Sequence, residues 1–214
     1  MCIRDRTYTF KDKKFSIEDF IETFKVAGLI VVRDGVILFE DYNFGNNEST
    51  QWVSFSVTKS VTSMLLGAAI QDGFIMSVED KVTTYLPQLI NSKYKNVSIK
   101  EVLHMSSGID WNEDYTDPSS DVNIAGAMNS LTLYRYLNTL DTAASPGTKF
   151  NYNTGETNLL GGIVRSAIGN SLSSYLEQKI WKSFGMVFDA YWAIDSEFEQ
   201  ELGGCCINAT LRDY

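Results

Sequence analysis

The chain is poor in residues that staple or chelate. Among its 214 residues are one histidine and three cysteines. Three cysteines are too few for a disulfide framework. Cys2 lies at the start of the chain, and the adjacency of Cys205 and Cys206 strongly disfavours a bridge between them. All three read as small buried residues or bystanders. A lone histidine cannot build a metal site and no metal-ligand spacing occurs, so neither a metal nor an organic cofactor is expected. Basic residues are also scarce, with 18 Lys and Arg against 27 Asp and Glu, for a net charge of -9. A phosphate backbone needs a basic surface, so no nucleic-acid partner is expected. No apolar run approaches the ~20 residues of a membrane span. Nor is there the basic, apolar, small order of a signal peptide. Compartment and oligomeric state stay open.

What remains describes an ordinary soluble globular protein able to bury a core, 44% hydrophobic and 21% charged. Met1 to Arg6 resembles translated sequencing-adapter DNA, so residues 1–6 are set aside as a non-native leader. Residues 7–214 read as one partial domain without repeats or linkers. Phe15 to Phe24 predicts a short amphipathic helix opened by Ser16. Leu29 to Arg33 and Val36 to Glu40 flank Asp34-Gly35, a strong hairpin signal. Val78 to Leu86 predicts a helix or turn closed by Pro87, and Ser98 opens another helix with a capping-box start. A polar loop with aromatics, Trp111 to Pro118, precedes a helix expected over Asn123 to Leu140. Two more helices are expected, Gly155 to Ile168 and Ser171 to Trp181. The class is α+β, one strand pair followed mainly by helices.

Ser56-Val57-Thr58-Lys59 stands where a polar stretch turns into an apolar run of helical spacing that stops at Asp72-Gly73. Residues three apart on a helix share a face. The first helical turn would hold Ser56, with the Lys59 amine against its oxygen. A hydroxyl is a weak nucleophile until a base takes its proton, and a desolvated lysine is such a base. The plain alternative is a capping serine beside a solvated lysine, and four residues alone do not decide. A second informative stretch runs from Phe150 to Gly161. It sets Tyr152 just before a helix start, where a phenol near a cation can pass a proton. Thr154 there reads as a candidate N-cap, and Glu156 as a first-turn acid that suits the helix dipole.

The hairpin, Trp52 to Lys59, Val97 to Gly108 and Ser145 to Gly161 together resemble serine hydrolases of the class C β-lactamase type. That family includes penicillin-binding carboxypeptidases, esterases and 6-aminohexanoate-dimer hydrolases. The resemblance implies a β-lactamase/transpeptidase-like fold, an antiparallel sheet beside a helical region. It implies Ser56 as the acylated nucleophile, Lys59 as its base and Tyr152 as the proton relay to the leaving group. The loop containing Tyr115 looks most like the amide-hydrolase branch, where it borders the substrate. Thr154 stands where the family often has asparagine, and its hydroxyl would contact substrate instead. The Lys-Thr-Gly or His-x-Gly strand that the family carries near its C-terminus has no counterpart, so the C-terminal strands are read as missing.

The expected reaction is acyl transfer on a small-molecule amide or ester. A rival reading keeps the fold as a catalytically silent binding module for peptides or cell-wall fragments. A Ser-His-Asp hydrolase would need His104 as base and lacks a Gly-x-Ser-x-Gly elbow, so His104 reads as structural.

Overall fold

The computed structural model of the chain describes residues 7–195 and 197–214, so the leader lies outside the described residues. The chain divides into two compact units, one comprising the residues up to 52 with 186–190 and 209–214, the other 53–185 with 191–208.

In the first unit, β1 (Thr7–Phe10) and β2 (Lys13–Ser16) form an antiparallel hairpin that the sequence reading did not anticipate. Its two turn residues, Lys11 and Asp12, both have positive φ (49° and 60°), the requirement of a type I′ turn. Asparagine and glycine usually fill such a turn, so Lys-Asp gives no turn signal. Phe15 consequently belongs to β2, where it stacks on Tyr8 at 5.4 Å, and not to the helix. Ser16 caps α1 (Ile17–Phe24) as expected, in a capping box with Asp19. The expected hairpin follows as β3 (Gly28–Arg33) and β4 (Val36–Tyr42), with a bulge at Val31/Val32. Arg212 forks onto Glu40 through Nε (2.7 Å) and Nη2 (2.5 Å), and this ion pair holds the Glu40 carboxyl below the usual carboxylate range.

Through β5 (Gln51–Val53) the chain passes into the second unit. A 3-10 turn, Phe55–Val57, then leads into α2 (Thr58–Gln71). The short helices α3 (Val82–Tyr85) and α4 (Ile99–Leu103) follow, the latter opened by the expected Ser98/Glu101 capping box. The helix expected over Asn123 to Leu140 is two helices, α5 (Asp121–Gly126) and α6 (Ser130–Leu137). The break occurs because the Asn129 side chain accepts from the Thr132 amide and starts a new helix. Next come α7 (Thr154–Ile168), α8 (Leu172–Leu176), a π-helical turn and α9 (Lys182–Phe184). Short strands β6 (Tyr191–Trp192) and β7 (Ile207–Thr210) pair through Trp192↔Ile207 and Tyr191↔Asn208.

The core of this unit lies where α2 and α4 pack on α7. Leu65, Leu66 and Ala69 of α2, Val102 of α4, and Leu159, Ile163 and Val164 of α7 are buried. Burying apolar area at about 25 cal/mol per Å² makes this face the main stabiliser of the helical unit. Cys205 and Cys206, whose adjacency was expected to disfavour a bridge, are joined by a disulfide across a cis peptide bond, with Cα atoms 3.3 Å apart. A trans peptide would hold those atoms about 3.8 Å apart.

Candidate active site

Ser56 sits in the 3-10 turn that feeds α2, just before the α-helix in whose first turn the sequence reading placed it. The residue before it, Phe55, has φ 44°, a left-handed conformation that costs a non-glycine residue about 1–3 kcal/mol. The turn leaves Ser56 exposed, and Lys59 follows one helical turn on. Lys59 Nζ lies 3.1 Å from Ser56 Oγ and donates to the Gly204 carbonyl at 3.0 Å. The expected pairing of serine and lysine is therefore present, with a third group fixing the amine.

That third group is held by backbone packed on backbone. Thr62 Oγ1 donates to the Gly203 carbonyl at 2.6 Å, and the Gly204 amide donates to Asn158 Oδ1 at 2.7 Å. Ser54 Oγ and Thr58 Oγ1, 2.5 Å apart and buried, both accept from the Ile207 amide at 3.0 Å. Gly203 is required sterically, since a Cβ there would run into the Thr157 carbonyl of α7. Segment 203–207 is thus pinned between α2 and α7, and its Gly204 carbonyl aims at Lys59.

The start of α7 supplies the other wall. Asn153, not Thr154, caps this helix, accepting from the Glu156 amide at 3.0 Å, and Thr154 is the first helical residue. Tyr152, two residues before the helix, places its ring 5.2 Å from Lys59 Nζ, so the described contact is a cation over a ring face. Trp111 packs against the helix start; a Cβ on Gly155 would come within 2.8 Å of its ring. Ser56, Lys59, Tyr115 and Thr154 line one cavity of about 480 Å³ with Trp111 and Asn158. His104 caps α4 at an exposed position and does not line this cavity.

The residue that sequence reasoning missed is Glu113. Its Oε2 accepts from the Thr154 amide at 3.0 Å and from the Trp111 indole at 2.5 Å. Its Oε1 accepts from the Tyr115 hydroxyl at 2.8 Å and from the Thr154 hydroxyl. The segment from Asp110 to Asp121 holds five acidic residues, and nothing in their order singles out this one.

Glu156 is the first-turn acid expected, and the structure adds that it is buried. It is 1% exposed, with Tyr94 donating to it at 3.4 Å. Burial pushes its carboxyl up to about 8, although the hydroxyls of Ser107 and Tyr94 pull it down. The helix dipole favours the ionised form, and desolvation outweighs it. In the unfolded chain the same group loses its proton near the ordinary glutamate value of about 4.3. Between that pH and about 8 the folded state holds the extra proton, so stability falls as pH rises through this window and levels off above it. The slope from this group is at most about 1.4 kcal/mol per pH unit. Glu156→Gln keeps a neutral side chain and is expected to remove that slope in thermal melts from pH 5 to pH 9. Identical pH dependence in the two proteins would contradict the assignment.

Comparison with known proteins agrees with this architecture. The family model described as Beta-lactamase matches residues 17–200. The 6-aminohexanoate-dimer hydrolase of Paenarthrobacter ureafaciens is 30% identical over 207 residues, which are 92% of this chain and 52% of that protein. A Bacillus anthracis structure described as a candidate 6-aminohexanoate-dimer hydrolase superposes with a TM-score of 0.85 at 24% identity, covering 99% of this chain and 58% of that one. The D-alanine carboxypeptidase structure from Burkholderia cenocepacia gives a TM-score of 0.68 at 18% identity over 92% of this chain and 59% of that one. The chain spans about half the length, or less, of the curated relatives it matches. Among the described residues no helix is long and apolar enough to cross a membrane. With a serine and a lysine paired at the start of α2, the fold of these neighbours and the family match across most of its length, the chain belongs to the β-lactamase family.

Proposed function

We propose that this protein is a serine hydrolase that cleaves amide or ester bonds through an acyl-enzyme on Ser56. The observation that carries the reading is the 3.1 Å approach of Lys59 Nζ to Ser56 Oγ inside a cavity large enough for a small acyl compound. A lysine amine keeps a proton for the Gly204 carbonyl and turns its lone pair to the serine hydroxyl. Ser56 Oγ then bonds to the substrate carbonyl carbon as its proton passes to Lys59. Collapse of the tetrahedral intermediate breaks the bond to the leaving group, which leaves with a proton relayed through Lys59 and Tyr152. The closeness of the Tyr152 ring, whose centroid is 5.2 Å from Lys59 Nζ, supports placing the phenol in that relay. Water then attacks the acyl carbon, returns the free acid and restores Ser56. The chemistry draws on no metal or organic cofactor. The named activities of the relatives, a dimer hydrolase and a carboxypeptidase, are of the same broad kind.

Fluorophosphonate labelling tests the reading. Mass spectrometry is expected to find the adduct on the peptide containing Ser56, and Ser56→Ala is expected to abolish it. A folded protein without an adduct would point to a catalytically silent binding module, and an adduct on another serine would overturn the assignment of the nucleophile.

A further inference from the structure

We infer that Glu113 is a positioning residue that sets the hydrogen-bond polarity of the cavity wall formed by Thr154 and Tyr115, so that this wall selects ligands bringing an N–H donor. This rests on the reading of the cavity as the substrate site. A carboxylate only accepts hydrogen bonds, and Glu113 accepts four. Two of them consume the single hydroxyl protons of Thr154 and Tyr115. Each hydroxyl oxygen is left with lone pairs alone to offer the cavity that both residues line. The other two bonds, from the Trp111 indole and the Thr154 amide, tie the loop to the start of α7 and fix where those oxygens stand.

A hydroxyl free to rotate would serve a donor or an acceptor equally well. With its proton committed to Glu113 it discriminates, since a ligand acceptor facing it meets lone pairs and leaves them unpaired. The donors lie elsewhere, with Lys59 Nζ beside Ser56. A bound substrate is therefore oriented with its scissile carbonyl toward Ser56 and Lys59 and a neighbouring N–H toward Thr154 and Tyr115. Glutamine at 113 would replace one carboxylate oxygen by an NH2 donor, which turns a neighbouring hydroxyl round so that it donates into the cavity.

The test compares phenyl N-acetylglycinate with phenyl acetoxyacetate, two esters that differ only by N–H in place of oxygen. Dissociation constants are measured by calorimetry on the full chain carrying Ser56→Ala, so neither ligand is cleaved and the result does not depend on acyl chemistry. The N–H ligand is expected to bind at least tenfold more tightly. Adding Glu113→Gln is expected to bring the ratio below two or invert it. If Glu113 only held the loop together, its loss would weaken both ligands alike and preserve the ratio. Should Glu113→Gln fail to fold by circular dichroism, Thr154→Val with Tyr115→Phe removes the accepting oxygens' polarity and must lower the ratio instead. Equal affinity of the two ligands with Glu113 in place, no binding of the N–H ligand at millimolar concentration, or a ratio that survives these substitutions overturns the inference. Labelling of Ser56 stands or falls separately from all three results.

Discussion

Replacing Lys59 by arginine is expected to slow acylation of Ser56 by about 10²–10⁴-fold, the usual worth of a positioned general base. The substitution keeps a cation next to Ser56 and the Gly204 carbonyl, so a purely electrostatic or structural lysine would tolerate it. A base would not. Guanidinium holds its proton at every accessible pH and has no lone pair to offer the serine hydroxyl. Arginine is also longer and planar, so its fork cannot both reach Gly204 O and leave a single nitrogen 3.1 Å from Ser56 Oγ. The measurement is the pseudo-first-order rate of fluorophosphonate or activated-ester acylation, followed across pH on folded protein. A rate near that of the unsubstituted protein would mean that another group removes the serine proton.

The second large effect is expected at Gly203. An alanine Cβ there would fall inside the contact distance of the Thr157 carbonyl oxygen and lie 3.2 Å from Gly161 of α7. Both partners are backbone in the middle of a buried helix, so neither yields as the end of a long side chain would. Overpacking of this kind costs about 1–3 kcal/mol, which lowers the melting temperature by roughly 2–4 °C per kcal/mol for a chain of this size. The displaced segment also carries the Gly204 carbonyl away from Lys59, so acylation is expected to fall with stability. Gly67→Ala is the control. Gly67 lies in α2 with open space around the position of a Cβ, and alanine is the better helix former by about 1 kcal/mol. That variant should melt at the same temperature or higher. If Gly203→Ala matches it, the close approach of the two backbones is not what holds the segment in place.

Local features of the site were legible because they depend on neighbours in the sequence. The spacing of Ser56 and Lys59 fixes their common face once a helix starts there, and the apolar run to Ala69 fixes that helix. Asp34-Gly35 specified its hairpin through the positive φ that both residues adopt (52° and 74°). Ser98 and Glu101 specified their capping box for the same kind of reason. Where a turn used unusual residues, as at Lys11-Asp12, the geometry was the same and the signal was absent.

The amino-acid sequence by itself thus determined the helix that carries Lys59 just after Ser56, the β-lactamase-like motif order, and the placing of Thr154 at the start of α7 with Tyr152 just before it. Tertiary structure alone decided which carbonyl fixes the lysine, since Gly204 lies 145 residues away from Lys59 in the chain. It also decided that Glu113, among several acids in one loop, reaches Thr154 across 41 residues. Glu156 became a buried, proton-holding acid for the same reason. A helix start predicts only the dipole that an acid feels there, whereas desolvation depends on what packs over it, and here that is Tyr94 from another part of the chain. Spacing along a chain sets which side chains share a face. Only packing sets what each face meets, and with it which protons are held and which lone pairs are left free.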